Sequence, residues 1–216
     1  MNPLRFGVGT MADWLSGHTT SVATTALILT CLTCYLGFSA LRKKRLVTES
    51  HTPLCQLLAE INRAAEGSMP LLAVAMAVAL PDICVSLVSA DGRSTGEQYR
   101  DWCDQNLPKD QFNFVTGDDL WSMRCGVLHN GRFGDLQHSV ARVIFALPRG
   151  TTFADCELGD AYLYGVVSFC KNITAAVHTW VSNNMTSPTM QANLPKLMQY
   201  RKGGLPPYID GPTVLA

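Results

Sequence analysis

The chain has 216 residues, the size of one domain with short appendages. A 47% hydrophobic content is enough to fill a core, which excludes global disorder. Seventeen basic residues balance seventeen acidic ones, so no whole-protein field draws in nucleic acid.

The charge is unevenly placed. Between Ser50 and Met185 nine Lys or Arg stand against fourteen Asp or Glu. Such an acidic excess counts against a duplex-binding module, which gains much of its affinity by neutralising phosphates. Eight cysteines lie scattered in apolar surroundings. They read as reduced, buried thiols rather than as a disulfide framework.

Residues 1–20 form a short head, followed by an uncharged apolar run over 21–41. A helix of that length rises about 31 Å, the thickness of a bilayer core. Arg42, Lys43, Lys44 and Arg45 follow at once. By the positive-inside rule they keep that end, and the domain after it, in the cytoplasm. The sequence thus predicts a single-pass protein of the inner membrane. Without a genuine span the same domain is cytoplasmic. Cys31 and Cys34 sit within the run, where their spacing carries no metal or redox role.

A basic and polar linker covers 42–52, and Pro53 opens a helix whose apolar stripe is Leu54, Leu57, Leu58 and Ile61, ended by Gly67. Met69–Leu80 is apolar on every side and reads as a core helix that continues past a kink at Pro81. Ser94–Glu97 caps a helix running to Asn106. Thr116–Asp119 caps the next one, which stops near Asn130–Gly131. Arg142–Leu147 is the clearest strand. A second strand within 151–158 would pair with it as a short β-hairpin. Asp160–Asn183 reads as one long helix, and the Pro-rich tail over 185–216 as disordered.

Four blocks in order, ALPDIC, GEQYRDWCDQNL, TGDDLWSMRCGVLHNG and RVIFALP, resemble an uncharacterised bacterial HEPN-like family. That family's hallmark is an Arg-Cys-x-x-x-His stretch, here Arg124 to His129. The stretch also fits the Arg, four to six residues, His signature of the HEPN superfamily. The resemblance covers about 54–183. It implies a mainly α fold, a HEPN-like helical bundle over 53–184 with a short β-hairpin, appended to the one N-terminal transmembrane helix. It further implies a homodimer in which two Arg/His pairs face one cleft and cut RNA without metal or other cofactor. A role in stress or phage defence, and hence an antitoxin or other protein partner, is part of the same analogy.

Carried over, His129 would serve as general acid or base, since imidazole titrates near neutral pH. Arg124 would hold the phosphate, a task its planar fork suits. Asp118, Asp119, Cys125 and Asn130 would be supporting residues. The family's active members usually place a polar residue after the Arg, where this chain has Cys125.

The spacing adds a constraint of its own. Five residues along a straight α-helix leave Arg124 and His129 roughly 140° apart, on different faces. Either the helix bends or ends near Gly126, or the working pair joins two chains.

Plainer roles compete. Asp118 or Asp119 can pair with Arg124, and a His near a helix C-terminus is ordinary capping chemistry. Cys125 and His129, four apart, share a face and form a possible thiolate–imidazole pair. His138 reads as a loop residue, His178 as facing outward, and Trp102, Trp121 and Trp180 as core anchors. The rival reading is therefore a non-catalytic HEPN-like module that binds a nucleotide or a protein partner.

Overall fold

The computed structural model describes residues 52–112, 114–133, 142–148, 153–159 and 161–216. The chain divides into two units, Met1–Glu49 and Ser50–Ala216, and every described residue belongs to the second. The expected span at 21–41, the basic run at 42–45, and His138 lie outside the described residues.

The domain is mainly helical, with two small sheets. Helix α1 (Pro53–Glu66) starts where the Thr52 hydroxyl accepts from the Cys55 amide and stops at Gly67, as its stripe and glycine predict. It buries Leu54, Leu58, Ile61 and Ala65. Helix α2 (Pro70–Val88) runs through Pro81 without breaking. It is the central element, packed against α1 and against the helices that follow.

At 19 residues α2 includes the stretch beyond Pro81 into which the sequence expected the helix to continue. Among the described residues it is the one helix long and apolar enough to cross a membrane, with a mean hydropathy of 2.3. Half of it is buried within the bundle, and the exposed part centres on Leu71 and Leu72 at its start. These features are those of a core helix whose first turn reaches the surface.

Helices α3 (Gly96–Asn106) and α4 (Gly117–Cys125) each open with a capping box. Thr95 and Gln98 form the first, Thr116 and Asp119 the second, each satisfying two otherwise unpaired amides. The buried Tyr99 hydroxyl donates to the Val78 carbonyl at 2.8 Å, and so ties α3 to α2.

The sheet differs from the sequence reading in its pairing. Strand β1 (Arg142–Ala146) lies parallel to β3 (Ala161–Gly165), and β2 (Cys156–Leu158) is antiparallel to β3. The order is β1-β3-β2, so β1 and β2 do not form the expected hairpin. Residues 161–165 were expected to begin a helix. AYLYG is instead a strand, three of its five residues being aromatic or leucine, and all but Gly165 are buried. Helix α5 (Val166–Asn184) begins immediately afterwards and buries Phe169, Cys170, Ile173 and Val177 against α1 and α2.

The tail is also corrected. Residues 185–216 form helix α6 (Pro188–Asn193), a 3-10 turn (Leu194–Lys196) and an antiparallel hairpin of β4 (Tyr200–Leu205) and β5 (Ile209–Leu215). Met190 is fully buried, and the Asn193 amide donates to the Leu87 and Ser89 carbonyls at the end of α2. The tail is short of periodicity because its helix has under two turns, yet it is anchored by these contacts.

Candidate functional site

Helix α4 does not end as an α-helix. Its last turn, Gly126–Asn130, widens into a π-helical turn closed by Gly131, whose left-handed backbone (φ 66°) lets its amide reach the Gly126 carbonyl. A π turn bonds i to i+5, so residues five apart return to one face. That local winding resolves the constraint read from the spacing. Arg124 Nη1 lies 3.2 Å from His129 Nε2, within one chain. The guanidinium has only donors, so in a hydrogen bond between the two Nε2 is the acceptor.

Arg124 is held from three sides. Its Nε donates to Asp82 Oδ2 at 2.5 Å, an ion pair with both side chains largely covered. Asp82 Oδ1 in turn accepts from the Ser94 hydroxyl at 2.7 Å. The guanidinium carbon sits over the Trp121 ring, 5.1 Å from its centroid. Burial works against the Arg124 charge, but the attraction and hydrogen bond of Asp82 outweigh it, and the arginine pKa is raised. The cation is permanent. His129 and Asn130 are exposed at the end of the turn, with Arg124 half-buried behind them.

The supporting residues named from sequence fall differently. Asp118 pairs with Arg100, whose Nε donates to its Oδ1 at 2.6 Å. Asp119 is spent on the capping box, where its Oδ2 accepts from the Thr116 amide and hydroxyl. The acid on Arg124 is therefore Asp82, forty-two residues earlier, and neither Asp118 nor Asp119. Cys125 is half-buried, next in sequence to Arg124. Asn130 is the last residue of the π turn. Trp102 is buried as expected, while Trp121 is half-buried and serves as a platform for arginines. His178 is exposed on α5.

Two glycines allow this assembly. At Gly117 an added Cβ would collide with the Arg100 backbone, so only glycine lets α4 start against α3. At Gly96 a Cβ would come within 2.9 Å of the Trp121 indole. The cluster thus draws Asp82 from ALPDIC, Arg100 from GEQYRDWCDQNL, Ser94 from just before that block, and the rest from TGDDLWSMRCGVLHNG. Asp82 and Arg100 were missed as site residues. The signal that could have found them is their place inside blocks already singled out, together with Gly117, which requires a close helix contact.

No group of three or more His, Cys, Asp or Glu gathers as a metal site among the described residues. No protein-family model matches the chain, and neither the curated proteins nor the solved structures contain a match.

Proposed function

We propose that the domain is a metal-independent endoribonuclease of the HEPN type, with Arg124 and His129 as its working pair. The observation that carries this reading is the 3.2 Å approach of the two side chains at an exposed helix end. An imidazole and a fixed guanidinium are sufficient for transfer of an RNA phosphate to its own 2′-hydroxyl. Once a substrate phosphate replaces the imidazole on the Arg124 fork, the His129 Nε2 lone pair would be released to remove the 2′-hydroxyl proton, or the protonated ring to deliver one to the departing 5′-oxygen. Arg124, oriented by Asp82 through Nε, would meet the charge that grows on the non-bridging phosphate oxygens. Cleavage then yields a 2′,3′-cyclic phosphate and a 5′-hydroxyl, with no water consumed in that step. Because the π turn supplies the pair within one chain, a homodimer would add a second site beside the first. A membrane tether through 21–41 would hold the domain at the cytoplasmic face.

The test is cleavage of a labelled RNA oligonucleotide by purified protein in EDTA, with product ends mapped. His129→Ala and Arg124→Ala are each expected to lower the rate by at least 100-fold, His129→Ala at unchanged thermal stability and Arg124→Ala with some loss of stability, because it leaves Asp82 without its partner. Equal rates in the wild type and both variants would end the proposal.

A second reading has one observation in its favour. Arg124 is already ion-paired with Asp82 and stacked on Trp121, which suits a structural guanidinium in a non-catalytic module that binds a nucleotide or a protein partner. Nucleotide binding without cleavage in the same assay would support it.

A further inference from the structure

Arg100 stands outside the Arg124–His129 pair but shares its platform. The two guanidinium carbons lie 5.6 Å and 5.1 Å from the centroid of the same Trp121 ring, so they are at most about 11 Å apart. Each arginine is anchored in the same way. A carboxylate holds Nε, Asp118 for Arg100 and Asp82 for Arg124, which leaves the Nη edge of each fork for another partner. Arg124 turns that edge to His129. No hydrogen bond from either Arg100 Nη atom occurs among the described residues, and the side chain is 38% exposed. Gly96 and Gly117 keep the start of α3 and the start of α4 close enough for this doubled arrangement.

We propose that Arg100 is a second phosphate-binding residue, so that the site takes a single RNA strand with at least two successive phosphates. This rests on the ribonuclease reading of Arg124 and His129. The reacting phosphate occupies the Arg124 fork, and a neighbouring phosphate of the same strand meets the Arg100 fork across Trp121. Such a contact fixes the register of the strand and reads no base. It lies away from the reacting atoms, so it strengthens binding of substrate and transition state alike. Its loss raises KM and leaves kcat. A mononucleotide or a dinucleoside monophosphate, with one phosphate, gains nothing from it.

The experiment compares wild type, Arg100→Ala and Arg100→Lys on a dinucleoside monophosphate and on a hexaribonucleotide. Binding of a non-cleavable 2′-deoxy hexamer is measured alongside, at several salt concentrations. Arg100→Ala is expected to raise KM for the hexamer about tenfold with kcat retained, and to leave the dinucleoside unchanged. Its salt slope for hexamer binding should fall by about 0.7, the contribution of one phosphate on a single strand. Arg100→Lys, a point charge without the fork, should recover part of the loss. A parallel fall on both substrates would mark Arg100 as structural and overturn the proposal, as would unchanged hexamer binding. If the wild type cuts neither substrate but binds the hexamer through Arg100, the phosphate contact stands and the ribonuclease reading falls.

Discussion

Asp82 decides how far the Arg124 guanidinium can move. Replacing it with alanine leaves a largely covered cation with no counter-ion, and Asp82→Ala is expected to cost about 1–3 kcal/mol in urea unfolding. Asp82→Asn keeps an oxygen for Nε and should cost less. A variant no less stable than wild type would show that the pair contributes nothing. The thiols give a second test at this scale. Burial pushes Cys170 up to about 12 and raises Cys103 well above the usual thiol range. The thiolate is the nucleophile, so both should resist alkylation in the native protein at neutral pH, while Cys55, Cys125 and Cys156, only partly covered, react. Peptide mapping after iodoacetamide reads this directly, and early labelling of Cys103 or Cys170 would contradict it. The Arg and His of the pair were legible because they sit five apart in one block. Asp82 was not, because an ion pair across forty-two residues leaves no local pattern in a single sequence.

Helix ends carried over best from sequence, and strand partners worst. Thr95, Thr116, Gly67 and Gly131 act on amides within a few residues, so each boundary is written locally. The partner of β1 is chosen nineteen residues on, and the apolar run from Ala161 into α5 hides the change from strand to helix. The π turn lies between these cases. Spacing showed that something had to happen near Gly126 but not what. It leads to an element-scale prediction. A π turn carries one residue more than an α turn, and Arg and His four apart on a plain α-helix share a face. Deleting Leu128, which is exposed, should return the turn to α geometry and keep Arg124 beside His129. Cleavage is then expected within about tenfold of wild type, a free-energy change of about 1.4 kcal/mol at most. Inserting an alanine at the same point should abolish it. Equal loss in both would show that the π turn itself is required.

Across the whole domain, the last thirty residues hold the centre together. Met190 is fully buried against the bundle, and Asn193 donates to backbone carbonyls at the end of α2. Met190→Ala should therefore cost about 2–4 kcal/mol in urea unfolding, the range for a buried large-to-small change. A loss below about 0.5 kcal/mol would place the tail outside the cooperative unit. The contact has a further meaning during synthesis. Helix α2 is the most apolar helix described, and the carbonyls at its end find the Asn193 amide more than a hundred residues later. Until that stretch leaves the ribosome, the carbonyls at the end of α2 and the surface that Met190 covers stay open. A nascent or truncated chain lacking residues 188–193 is expected to be held by chaperones or to adhere to membrane through α2.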